Sequence, residues 1–139
     1  MPEFTLTGEA HAPVEEVWKL LFDPSRFPEW WAHVDAVRVG SAGEHLVWYD
    51  GSPDFPMPRR LRADRVEGRV SISCQVSDID FSWQLAEHGD GTQITARVEL
   101  PAAMAYLFDE QLETIATSLT NLAELAEADA RGVPLDGSS

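Results

Sequence analysis

From Ala102 to Arg131 the chain contains neither Pro nor Gly. Within that run Met104, Phe108, Leu112, Ile115, Leu119, Leu122 and Ala126 step by four, four, three, four, three and four. This is the spacing of one apolar stripe on one helix. At 1.5 Å per residue the helix has about 29 residues and is ~43 Å long. Gly132 and Pro134 end it, and the tail LDGSS is expected to be disordered. Between residues 34 and 100 the apolar period is two instead, which is the period of half-buried strands. A single long helix covers only one face of a sheet, so the two periods together call for a helix laid on one side of an antiparallel sheet.

Strands are read near 34–40, 44–50, 59–67, 69–78, 80–88 and 92–100, with Phe4-Thr5-Leu6-Thr7 as an earlier one. Turn signals fall at Gly40-Ser41-Ala42-Gly43, Glu67-Gly68, Ser77-Asp78 and Gly89-Asp90-Gly91. The prolines of GSPDFPMP, residues 51–58, oppose a central strand and predict a loop or a distorted edge. Between the first strand and the rest, Ala12-Pro13 opens a helix carrying Val14, Val17, Trp18 and Leu21 at helical spacing. Asp23 then caps a second, short helix that starts at Pro24 and ends near Trp31 or Ala32, kept short by Pro28. Trp30 and Trp31 at adjacent helical positions point ~100° apart. Trp30 is expected to pack into the sheet and Trp31 to stand at a rim. A sheet of seven strands is more than one helix stripe can fill, so space is expected between sheet and helix, and such space suits a small apolar ligand.

The net charge is −14 over 139 residues, which repels phosphate backbones and anionic membrane surfaces and argues against nucleic acid as a partner. Arg59, Arg60, Arg62, Arg65 and Arg69 form a local basic run, read as an exposed strand face balanced by Asp64 and Glu67. No apolar run approaches the ~20 residues of a membrane span, and the N-terminus lacks a signal-peptide pattern. Cys74 is alone, so neither an intrachain disulfide nor a cysteine-based metal site is expected, and a cytoplasmic location is the simplest expectation. The four histidines, His11, His33, His45 and His88, have no metal-ligand spacing. No nucleotide- or cofactor-binding glycine motif is present. Neither metal nor cofactor is expected.

The run AHAPVEEVWKLLFDPSRFPEWWAHVDAVRV, residues 10–39, resembles the opening of the polyketide cyclase/dehydrase family of the START and birch-pollen-allergen superfamily. Phe81-Ser82-Trp83-Gln84-Leu85 with Gly89-Asp90-Gly91-Thr92 is similar to that family's penultimate hairpin. The resemblance implies an α+β helix-grip fold: a curved seven-stranded antiparallel sheet around a long C-terminal helix, with two short helices between strands 1 and 2. It implies one domain over residues 1–132 and a flexible tail over 133–139. It also implies a partly open interior.

Strand parity places Leu46 and Trp48, Leu61 and Ala63, Val70, Ile72, Cys74 and Val76, Phe81, Trp83 and Leu85, and Ile94, Ala96, Val98 and Leu100 inward. The expected cavity set is Trp30, Trp31, Trp48, Arg59, Leu61, Ile72, Cys74, Phe81, Trp83, Met104 and Phe108. Arg59 shares parity with Leu61 and is a candidate partner for a ligand carboxylate or enolate, unless it is an exposed side chain on a frayed edge beside Pro58. Tyr49 and Arg97 have outward parity, and Tyr106 lies off the helical stripe. Three functions remain open. The first is binding of a small hydrophobic or aromatic molecule, polyketide- or lipid-like. The second is a cyclase or aromatase, which needs at least two ionisable groups converging in the cavity, with Asp50, Asp54 and Arg59 as the nearest candidates. The third is an interaction module without a ligand. The oligomeric expectation is a monomer or homodimer, without membrane insertion.

Overall fold

A computed structural model describes residues 2–132. Pro134 and the tail over 133–139 lie outside the described residues. Seven strands form one antiparallel sheet in the order β1-β7-β6-β5-β4-β3-β2. They are β1 (Glu3–Ala10), β2 (Val34–Val39), β3 (Glu44–Tyr49), β4 (Met57–Asp64), β5 (Arg69–Cys74), β6 (Asp80–His88) and β7 (Gly91–Glu99). Apart from β1, which pairs with β7, each strand pairs with its neighbour in sequence, as short connections require. The inward row of β5, β6 and β7 is buried throughout: Val70, Ile72 and Cys74, then Phe81, Trp83 and Leu85, then Ile94, Ala96 and Val98. Period two is therefore realised there as read. Val76 lies beyond the end of β5 and is exposed, and Ala63 is exposed near the end of β4.

Helix α1 (Val14–Leu21) follows Pro13, with Glu15 and Glu16 in its first turn, where the helix dipole favours acids. Its buried face is Val17, Trp18, Leu20 and Leu21. The segment Pro24–Glu29 is a 3-10 helix capped by Asp23, whose Oδ1 accepts from the Ser25 amide at 3.0 Å and the Ser25 hydroxyl at 2.7 Å. It stops before the Trp pair. Trp30 has φ −140° and ψ −27°, outside helical geometry, so the expected ~100° divergence of the two rings does not arise. The Trp30 and Trp31 rings instead stack at 5.4 Å with 28° between planes.

The C-terminal helix is shorter than its pattern suggests. Ala102–Leu107 is a 3-10 helix, and α2 proper runs over Phe108–Arg131, ended by Gly132 in the left-handed conformation. Leu107, at φ −91° and ψ 1°, separates the two. Three residues per turn in the first piece rotate Met104 off the stripe that a continuous α-helix would have given it, and Met104 is only half-buried. The stripe itself is realised from Ile115 onward, with Ile115, Leu119, Leu122 and Ala126 buried.

Helix α2 packs on β1, β7 and α1. It therefore lies toward the β1 side of the sheet, and the inner faces of β3, β4 and β5 meet only its N-terminal turns. The core fills the α2 side, and Trp30, Trp83 and Phe27 fill the middle. Trp30 stands edge-on to Trp83 at 5.2 Å and donates its indole N–H to the Leu20 carbonyl at 3.0 Å, which fixes the corner as expected.

Candidate functional site

The uncovered part of the sheet is a cavity of about 460 Å³. Its sheet wall is made by Tyr49 of β3, Met57 and Arg59 of β4, Cys74 of β5 and Phe81 of β6, with Ile79 from the β5–β6 turn. Leu107, Glu110, Gln111 and Thr114 close it from the helix side, and Trp31 enters from the corner. His33, Asp50, Ser52 and Ser77 surround the mouth. His33 adopts φ 70°, uncommon for a residue with a Cβ. The Asp50 amide donates to the His33 carbonyl at 2.9 Å, and His33 Nδ1 lies 3.2 Å from Asp50 Oδ2. Two loops are thereby tied together at the rim.

Of the expected cavity set, the structure brings Trp31, Arg59, Cys74 and Phe81 to the cavity wall. Trp30, Leu61, Ile72 and Trp83 are buried in the core instead. They point inward, into the buried core cluster. Phe108 packs edge-on against Phe4 at 5.5 Å, and Met104 rests against the core. Trp48 is a correction of parity. His45 and Val47 are the fully buried positions of β3, Tyr49 continues their face to the cavity, and Leu46 and Trp48 alternate to the other face. There Arg38 lies 5.9 Å from the Trp48 ring. The sequence EHLVWY has apolar residues at both parities, so composition does not choose between them. Pairing does: Leu61 donates to the Gly43 carbonyl, and a Cβ at Gly43 would stand 2.1 Å from the Leu61 carbonyl oxygen. Pro58, expected outside a central strand, lies near the start of β4, opposite Leu46.

This register puts three polar side chains in one inward row. His45 is the partner of Arg59 across β3 and β4, and Arg59 is the partner of Cys74 across β4 and β5. Arg59 is 1% exposed, so the frayed-edge alternative is overturned. Its Cζ lies 4.7 Å from the Trp31 ring centre, 5.0 Å from Phe81 and 5.3 Å from Tyr49. Its Nε and Nη1 are buried without a hydrogen-bond partner. Burial lowers its pKa to about 10, and Cys74 opposes that shift. The guanidinium therefore stays charged at neutral pH.

His45 was not singled out by the sequence. It is buried, stands edge-on to Phe27 at 5.8 Å, and has its Nδ1 3.1 Å from the Gly43 carbonyl. Burial lowers its pKa below the ordinary value; the Gly43 hydrogen bond opposes this and the charge on Arg59 adds to it. The remaining arginines of the basic run turn outward as expected: Arg60 pairs with Glu44 at 2.8 Å, Arg65 with Glu15, and Arg69 donates to Gln84. Arg97 is exposed and pairs with Glu3 and Glu99, and Tyr106 is exposed. No cluster of His, Cys, Asp or Glu suited to a metal ion occurs among the described residues. No helix there is long and apolar enough to cross a membrane.

A curved antiparallel sheet gripping a C-terminal helix, with an aromatic cavity where that helix begins, defines a helix-grip fold. Residues 10–119 match the family model described as polyketide cyclase / dehydrase and lipid transport. The chain belongs to that family. Its fold is similar to that of the protein XoxI from Bacillus cereus, at 13% identity and a TM-score of 0.76, over 89% of this chain and 94% of that one. It is similar to a START superfamily protein from Mycobacterium smegmatis at 15% identity and a TM-score of 0.70, over 88% and 97%. A protein from Nitrosospira multiformis aligns at 19% identity and a TM-score of 0.73, over 94% and 99%. No curated protein sequence matches the chain.

Proposed function

We propose that the chain binds a small hydrophobic or aromatic molecule, polyketide- or lipid-like, in the cavity between β3–β5 and the start of α2. The observation that carries this reading is the cavity itself: about 460 Å³ left open beside a filled core, walled by Trp31, Tyr49, Met57, Ile79, Phe81 and Leu107. That size falls in the range of small-molecule sites, and an aromatic and aliphatic wall is joined there by polar side chains, Arg59 inside and His33, Asp50 and Ser52 at the mouth, that can orient a ligand. The family's description, which includes lipid transport, supports the same class of ligand. The test uses a neutral apolar dye, phenylnaphthylamine, with the wild type and Gln111→Trp, which fills the cavity from the helix side. Saturable fluorescence enhancement in the wild type that is lost in the folded variant is the expected result. Equal response of both proteins removes the cavity from the account.

A second reading, a cyclase-type enzyme, is favoured by one observation. The interior cation Arg59 and the paired His33 and Asp50 line the same cavity, so a charge that can stabilise an enolate stands inside it and an acid–base pair at its mouth. A polyketone analogue incubated with the protein would then be recovered lighter by one water. Recovery unchanged would leave binding alone.

A further inference from the structure

We propose that Arg59 is the anchor for an anionic end group, so that the cavity takes an aromatic or aliphatic monocarboxylate with the carboxylate inward and the apolar body toward the mouth. This rests on the ligand-binding reading above and names the ligand's chemistry. Arg59 is buried beside the cavity it lines, its Nε and Nη1 have no hydrogen-bond partner, and no ion pair to it occurs among the described residues. Buried charges are ordinarily paired. Here the two cross-strand neighbours are His45, held neutral by burial, and Cys74. Neither is a carboxylate, the anion whose two oxygens match a guanidinium fork. The faces of Trp31, Phe81 and Tyr49 stabilise the cation only through their quadrupoles. They also hold the guanidinium in place but leave its Nε and Nη1 without an acceptor. A fixed planar fork of N–H donors is complementary to a carboxylate.

Acidic residues do line the cavity: Glu110 and Asp50 are both exposed at the mouth, and Asp50 is already paired with His33. Coulomb energy varies inversely with the dielectric constant. It is therefore about fourfold weaker at a wet rim (about 80) than at a buried site (about 20). The interior cation outweighs the rim acids for an anion that reaches it, while the rim and the net charge of −14 slow entry, most strongly at low salt.

The experiment compares naphthoate with its methyl ester by calorimetric titration of the wild type, Arg59→Met and Arg59→Lys. The two probes share one apolar body and differ in the charge. The wild type is expected to bind the acid about tenfold to hundredfold more tightly than the ester, the size of a charge-assisted hydrogen-bonded pair. The acid preference should vanish in Arg59→Met with ester affinity retained, and return in part in Arg59→Lys. Ester binding by the Met variant reports that it is folded; if it does not fold, the wild-type ratio and Arg59→Lys decide. Equal binding of acid and ester by the wild type overturns the anion anchor and leaves the cavity reading intact. No binding of either probe overturns both.

Discussion

Replacing Arg59 by Met should stabilise the ligand-free protein. Burial lowers the Arg59 pKa from its ordinary value to about 10, and at 1.36 kcal/mol per pH unit this places the cost of holding the cation inside at about 3 kcal/mol. Its contacts with the faces of Trp31, Phe81 and Tyr49 return about 1–2 kcal/mol together. Met keeps much of the apolar stem and needs no partner. The expected net gain is therefore about 1–2 kcal/mol, in line with the effect of replacing buried ionic groups by apolar ones. It corresponds to a rise of about 3–7 °C in Tm for a domain of this size. Because the folded pKa lies below the unfolded one, the cost is fully present at neutral pH and is relieved only as pH rises through about 10. The assay is urea unfolding at pH 7, followed by Trp fluorescence, on protein refolded free of small molecules. A Met variant less stable than the wild type by more than about 1 kcal/mol would mean instead that the ligand-free fold already compensates the charge. A site that gains stability when its charged residue is removed is one whose charge serves binding rather than folding.

Three further outcomes follow from the core and the register. Trp83→Ala removes a fully buried ring packed on Trp30 and Trp31 and should cost about 3–5 kcal/mol in urea unfolding; a loss below 1 kcal/mol would show that the cluster is not a packed core. Since the folded pKa of His45 is depressed below 6.5, its stabilising contribution is present above pH 6.5 and is lost as pH falls toward the folded value; a neutral replacement, His45→Phe, should flatten the stability profile in that window, and an unchanged slope would exclude His45 as its source. Gly43→Ala places a Cβ against the Leu61 carbonyl at a residue with φ 82° and should destabilise the sheet by more than 1 kcal/mol, with amide shifts spread along β3 and β4; shifts confined to the turn would show that this contact does not set the register.

Much of the fold was legible because it depends on period and punctuation. FSWQLAE and TQITARVEL each commit one parity to the core, and Gly89-Asp90 leaves β6 and β7 a single register, with His88 opposite Gly91. The candidate site was less legible because it lies where such signals fade. In β3 the apolar residues Leu46, Val47, Trp48 and Tyr49 occupy both parities, so a one-residue error exchanged Trp48 for Tyr49 and hid His45. The information that decides the parity is a long-range pairing across a loop, opposite Arg59. Glu110, Gln111 and Thr114 were hidden for a different reason. They are polar, and they face a cavity only because α2 starts at Phe108 and lies toward β1. Trp30 and Trp83 show the converse. Both point inward, but whether an inward ring meets a cavity or another ring depends on where the helices lie, which strand periodicity does not encode.

The central claim is that the cavity is occupied by a small molecule, and native mass spectrometry of the wild type and Gln111→Trp, each purified from the protein's own host without denaturation, tests it most directly. The wild-type mass is expected to exceed that of the chain by one discrete small molecule, released on denaturation, and the variant is expected as a bare chain. Two bare chains, or the same added mass on both folded proteins, would contradict it.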